Sequence, residues 1–322
     1  MQQVAASAEP RAPMLSEAMP GLKAAADPTS DPTTGRIAEE IPRVDYAIIG
    51  GSGTFSIEFP EDLGRSDVRV LARDLVFATP YGPSPRMKLF ECDGKKALTV
   101  RMHGWRPPDV TRAAASQQLF WVLREAGVRH ILVEGGVGSI NPLLELRDFV
   151  VVDDYIDQSM RKDVGLGGPY LLIMRQAICP RLAAVLADAA FERVERNRDR
   201  PRRVFRRGVY LNTDGRHFES PAEIRFFRGH ADVVGQSLCP EVYLAREIGA
   251  CYAGLYMVTN YAEGVIRDWE HRELADIFYE ESKTVGNILL DALANVKNDQ
   301  SSCGCSNLRK PTLLVEHSRP KI

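Results

Sequence analysis

No apolar run among the 322 residues approaches the roughly 20 that a membrane-spanning helix needs, so no such helix is expected. The chain also lacks a charge surplus. Lys and Arg number 41 against 43 Asp and Glu, a formal net charge of −2, which gives nucleic acid or an anionic membrane surface no broad electrostatic hold. The start lacks a basic stretch followed by an apolar block, so no secretory signal is expected and the expected location is cytoplasmic. Cysteine is sparse, six residues in all. Cys92, Cys179, Cys239 and Cys251 sit in apolar surroundings and read as small buried hydrophobes. Cys303 and Cys305 form "CGC" without a further Cys or His nearby in the sequence. The expectation there is a flexible tail with exposed thiols and no bound metal.

What is present is an ordinary globular composition, 44% apolar and 26% charged. Residues 1–43 are rich in Ala, Pro, Ser and Thr without periodicity and are expected to be disordered. Residues 44–297 read as one domain and 298–322 as a flexible C-terminal tail. Apolar strand-like runs end "YAII", "KALTVRM", "HILVEGG", "DFVVVDDYI", "RRGVYLNT", "ADVVGQS" and "CYAGLYMVT". Helix-like stretches alternate with them, the last and longest being "RELADIFYEESKTVGNILLDALANV". Strands this apolar are covered on both faces. The fold class is therefore α/β, a single domain with a central, mostly parallel or mixed, twisted sheet flanked by helices. The basic "NRDRPRRVFRR" lies between a helix and a strand and reads as a solvated loop.

Several strand ends carry residues suited to chemistry. "IIGGSG" lets backbone amides approach an anion beside the Ser52 hydroxyl, although a tight strand exit accounts for it as well. The dinucleotide fingerprint is missing, since Gly51-x-Gly53 is followed by Ser56, and no phosphate-loop lysine follows. Arg101 and His103 are two apart at a strand end, where a guanidinium fork and an imidazole suit phosphate; Trp105 continues the alternation. An exposed ion-paired Arg and a satisfied edge His are the plainer alternatives. Gly136, in "VEGGVGS", offers backbone rather than a side chain. Phe218 and Glu219 precede a helix start at Ser220 and Pro221, one able to stack on a planar base and the other to accept from a ring N–H. Core packing and a helix-start carboxylate explain the same two residues. Gln236 and Ser237 close another strand, and Asn260, carrying both donor and acceptor, follows the apolar run Cys251–Val258.

In this order "IIGGSG", "TPYG", "RMHGW", "GGVGSI", "DFVVVDDYID", "DGRHFES", "DVVGQSLCPEVYLAREIG" and "MVTNYA" resemble the trimeric purine nucleoside phosphorylase family, which includes the methylthioadenosine phosphorylases. The resemblance implies a nucleoside phosphorylase-like fold, a homotrimer, and small-molecule partners only: a nucleoside, with inorganic phosphate as co-substrate and no cofactor. It implies phosphate at Ser52, Arg101, His103, the Gly136 backbone and Ser237, and sugar near Trp105, Gln236 and His271. The base would meet Phe218, Glu219 and Asn260, with Asn260 and His103 as the catalytic residues. Relatives that cleave 6-oxopurine nucleosides carry an asparagine after the last strand and a glutamate after the phenylalanine. Adenine-specific methylthioadenosine phosphorylases carry an aspartate there and another two residues on. Here those positions are Asn260, Glu219 and Ala262. The implied reaction is phosphorolysis of inosine, guanosine or 5′-methylthioinosine. Methylthioadenosine or 5′-deoxyadenosine phosphorolysis, a phosphate-independent nucleosidase and a paralogue without turnover are the alternatives.

Overall fold

The structure, a computed structural model, describes residues 40–103, 109–196 and 202–312. Residues 1–39, most of the expected disordered tail, lie outside the described residues, as does Trp105. The order opens with β1 (Tyr46–Gly50), β2 (Val68–Leu75), the hairpin β3 (Ala78–Thr79) and β4 (Gly82–Pro83), β5 (Met87–Cys92) and β6 (Lys95–Arg101). After α1 (Arg112–Ala126) come β7 (His130–Ser139), β8 (Phe149–Val151), β9 (Asp154–Asp157) and β10 (Tyr170–Leu172). Then follow α2 (Pro180–Ala190), β11 (Val204–Phe205), β12 (Val209–Asn212), α3 (Pro221–Phe227) and β13 (Val233–Gly235). The chain continues through α4 (Glu241–Ile248), β14 (Cys251–Tyr261), α5 (His271–Asn295) and β15 (Arg309–Pro311).

Strands β1, β7 and β14 are buried almost throughout, because their apolar residues face helices on both sides. The sheet runs β11-β8-β14-β7-β1-β6-β5-β2, with β13 joining β7 near its end and leading to β12 and β9. The four middle strands, β14, β7, β1 and β6, are parallel, while β5 and β2 add an antiparallel flank. The sheet is thus mixed. Parallel neighbours bring their carboxyl ends to one edge, so Gly50 lies beside Arg101 and Asn260 beside Gly138. Ligands in open α/β sheets bind along such an edge.

Local signals set the helix ends. Thr111 Oγ1 caps α1 by accepting from the Ala114 amide at 3.2 Å, and Gly127, with φ 82°, closes it. Ser220 and Glu223 form a capping box on α3. The expected single strand "DFVVVDDYI" divides: β8 pairs antiparallel with β14, whereas β9 pairs parallel with β12. Asp153 lies at the break between them, where its carboxylate accepts from the Gly208 amide at 3.1 Å. The expectation of exposed thiols after residue 297 is corrected. Cys303 and Cys305 are buried, and β15 pairs antiparallel with β10.

His130, at the start of β7, is fully buried and stacks on Tyr46 with ring centroids 5.5 Å apart. Burial, and then the nearby Arg181 cation, hold its pKa below the ordinary value. The fold therefore carries it neutral, while the unfolded chain takes up a proton below about pH 6.5. The unfolding free energy is expected to fall as pH drops from about 6.5 toward the native pKa, and to lose this slope below it. Urea denaturation from about pH 8 to about pH 5 should show that slope in the wild type and a shallower one in His130→Asn.

Candidate functional site

The glycine turn after β1 does hold an anion, but it is the protein's own. The Glu134 carboxylate on β7 accepts from the amide of Gly53 at 2.9 Å, from the amide and hydroxyl of Thr54 at 3.0 and 2.7 Å, and from the amide of Gly51. A buried carboxylate must be satisfied in this way. A Cβ at Gly51 would lie 2.6 Å from the Glu134 carbonyl oxygen, so only glycine permits this approach. These three amides face inward, and what the turn offers outward is Ser52.

Ser52 Oγ accepts from the Gly136 amide at 2.9 Å. The Gly136 N–H is thereby occupied, but the Ser52 hydroxyl proton remains available to donate. Across the same strand, Gly135 lies beside Ser237, whose Oγ would be 3.5 Å from a Cβ built there. The Ser237 amide donates to the Tyr210 phenol oxygen at 3.3 Å, and the phenol in turn reaches Ser237 Oγ at 3.3 Å. Burial pushes the Tyr210 phenol up to about 12, so it keeps its proton at neutral pH, and either hydroxyl of the Tyr210–Ser237 pair can donate to the other. The Ser52 and Ser237 hydroxyls therefore flank the Gly135–Gly136 backbone. Phe278 of α5 closes over it, and a Cβ at Gly136 would meet that ring at 2.8 Å.

Arg101 and His103 stand differently. Arg101 donates to the Ile57 carbonyl and to Glu58 Oε1, the latter at 3.0 Å, and lies over the Phe55 ring. His103 is buried, with Nδ1 3.1 Å from the Glu134 carbonyl and Nε2 2.8 Å from Glu241 Oε1. Glu241 is itself fully buried and accepts from the Tyr252 hydroxyl at 3.2 Å. Both His103 ring nitrogens thus lie against oxygens of the protein. His103 therefore packs behind the glycine turn, between β7 and the start of α4.

At the end of β14 a bulge between Val258 and Asn260 re-aims the asparagine. Asn260 Oδ1 accepts from Thr259 Oγ1 at 3.1 Å, and Nδ2 donates to the Tyr261 carbonyl at 3.0 Å. An amide has two N–H donors, and the second has no partner among the described residues. Glu219 accepts from the Thr213 hydroxyl through Oε1 at 2.5 Å, and among the described residues its second oxygen has no partner. Phe218 is 46% exposed and packs at 4.7 Å against the Trp269 ring. Glu263 fixes that indole by accepting from Nε1 at 2.9 Å. Gln236 donates to the His217 carbonyl at 3.0 Å. His271 is exposed at the first residue of α5.

The structure therefore gathers Ser52, Gly136 and Ser237 around one stretch of β7 and places Asn260 at the end of the adjoining strand. Sequence reasoning missed Glu134, Glu241 and Tyr210, which support that group from below. It also missed Arg161, which pairs with Asp214 at 2.9 Å and donates to the Thr213 and Gln236 carbonyls at 2.9 and 3.2 Å. Arg161 thereby ties the exits of β12 and β13 together. Glu134 alone left a signal, a lone charge inside a near-continuous apolar run.

The family model described as Phosphorylase superfamily matches residues 45–294. The S-methyl-5′-thioadenosine phosphorylase of Pyrococcus horikoshii is 30% identical over 272 residues, covering 83% of this chain and 98% of that protein. The 6-oxopurine nucleoside phosphorylase of Pyrococcus furiosus is 32% identical over 285 residues, covering 84% and 98%. Among solved structures, methylthioadenosine phosphorylase from Schistosoma mansoni in complex with adenine shares the fold, with a TM-score of 0.68 and 22% identity over 82% of this chain and 96% of that one.

Proposed function

Because the chain belongs to the phosphorylase superfamily, we propose that it cleaves 6-oxopurine nucleosides with inorganic phosphate, yielding the free base and a ribose 1-phosphate. Overall identity does not choose the base, since relatives named for adenine and for 6-oxopurine substrates stand at 30% and 32%. The observation that carries the choice is Asn260, at the carboxyl edge of the sheet, whose second Nδ2–H has no partner among the described residues. A 6-oxopurine offers N7 and O6 as acceptors beside a ring N–H donor. The remaining Asn260 N–H can donate to N7 or O6, and the second Glu219 oxygen can accept from the ring N–H.

In this reading phosphate sits against the Ser52 and Ser237 hydroxyls, and Arg101 exchanges its Glu58 pair for the anion. A phosphate oxygen bonds to C1′ as the C1′–N9 bond breaks, and the bond's electron pair passes to the purine. Asn260 meets the negative charge that develops there, while fixed phosphate supplies proximity. His103, held between Glu134 and Glu241, positions β7 rather than touching phosphate. Phe218 with Trp269 forms the stacking wall for the base, and Gln236 and His271 border the sugar. A homotrimer, a cytoplasmic location and the absence of a cofactor for this reaction belong to the same proposal.

The test is base release from inosine, guanosine, 5′-methylthioinosine, adenosine and 5′-methylthioadenosine, each with phosphate. Hypoxanthine or guanine should leave at least about tenfold faster than adenine, a difference of about 1.4 kcal/mol in transition-state binding. Faster adenine release would overturn the assignment of Asn260 and Glu219.

A further inference from the structure

Four cysteines that lie far apart in the chain meet at one point in the fold. Cys179 precedes α2, Cys251 opens β14, and Cys303 and Cys305 flank Gly304 in the turn before β15. All four are buried, and their sulfurs lie within 4.8 Å of one another. Cys251 Sγ and Cys303 Sγ are 3.4 Å apart, and none of the four is in a disulfide. Gly304, with φ 66°, lets the i and i+2 sulfurs of "CGC" turn toward the same centre.

We propose that Cys179, Cys251, Cys303 and Cys305 form a structural tetrathiolate site for a divalent zinc-like ion. Metal–sulfur bonds of about 2.3 Å in a tetrahedron require sulfur–sulfur edges of about 3.8 Å. To meet that geometry the longer edges, all within 4.8 Å, shorten by at most about 1 Å, and the 3.4 Å Cys251–Cys303 edge lengthens by about 0.4 Å. Binding M²⁺ to four thiols gives a dianionic complex and releases four protons to solvent, with no oxidant or reductant.

A second observation asks for negative charge here. Arg246 is buried at 3% exposure, yet its described hydrogen bonds all go to backbone carbonyls, those of Cys305, Gln176 and Ala177. Buried charges in proteins are paired or lie beside metal complexes. A dianion centred on Cys179 and Cys305 would supply the missing counter-charge, since the guanidinium grips the Cys305 backbone and the approach to Cys179. Gln300 Nε2, 3.5 Å from Cys251 Sγ, adds a donor to one thiolate, as outer partners of metal ligands do. The ion would staple residues 303–311 to the starts of α2 and β14, away from the nucleoside site, and its role would be stability rather than chemistry.

The test uses the full chain purified under reducing conditions without added chelator. Elemental analysis should find about one zinc per chain. A thiol reagent should then find all six cysteines reduced after denaturation with a chelator. Exchange with Co²⁺ should give the thiolate-to-metal absorption of a tetrahedral sulfur site. Cys305→Ser should lose the metal and lower Tm, while a Cys92→Ser control keeps the metal. If Cys305→Ser does not fold, the wild-type stoichiometry and cobalt spectrum still decide the matter. A metal-free chain with six free thiols, no zinc uptake and no cobalt spectrum would overturn the proposal. So would thiols missing in pairs because the four had formed disulfides under the same conditions.

Discussion

Asn260→Ala is expected to lower kcat/KM for inosine by about 10²–10³, with most of the loss in kcat. The side chain donates where negative charge appears only as the C1′–N9 bond breaks, so its removal costs transition-state rather than ground-state binding. The fold should tolerate the change. Among the described residues the Asn260 side chain bonds only Thr259 and Tyr261, both its immediate neighbours, and Thr259 Oγ1 also reaches the Val137 carbonyl at 3.3 Å. Asn260→Asp separates two accounts of that loss. A carboxylate repels the charge building on a 6-oxopurine but accepts from the amino group of adenine. The ratio of kcat/KM for inosine to that for adenosine should therefore fall well below the wild-type value. A loss in Asn260→Ala confined to KM, or an unchanged ratio in Asn260→Asp, would contradict the role given to this amide.

The second large effect is on stability. Glu134→Leu strands three amides and the Thr54 hydroxyl in the core. Orphaned buried donors cost about 1–3 kcal/mol each, so the loss should be at least about 3 kcal/mol in urea denaturation. Glu134→Gln should cost less, about 1–2 kcal/mol. Its amide oxygen can serve the three donors now on Oε1, and only the Gly53 amide would face an N–H. Because this turn carries Ser52, Glu134→Gln should also raise KM for phosphate more than KM for the nucleoside. Equal stability of the two variants would mean the carboxylate is not what holds the turn.

The sheet and its helices were legible because their signals are local. Apolar runs mark β1, β7 and β14, and Thr111, Gly127, Ser220 and Glu223 mark helix ends. Strands β2 and β5 were missed because they form a flank only partly buried in β2, without an apolar run to mark them. Within the candidate site, the polar residues at strand ends were readable as a set, but their partners were not. That the Gly136 amide would meet Ser52, or that His103 would lie between Glu134 and Glu241, follows only from strands, turns and a helix start adjacent in space. The cysteines make the same point. "CGC" is uninformative without Cys179 and Cys251, which the parallel sheet and α2 deliver from 126 and 54 residues upstream of Cys305 (305 − 179 and 305 − 251).

The most direct test of the account is the fate of the sugar. Inosine incubated with the protein and phosphate, followed by phosphorus NMR and base chromatography, should give ribose 1-phosphate and hypoxanthine in equal amounts, and neither without phosphate. Hypoxanthine released without phosphate, with free ribose beside it, would make water the nucleophile and contradict phosphorolysis.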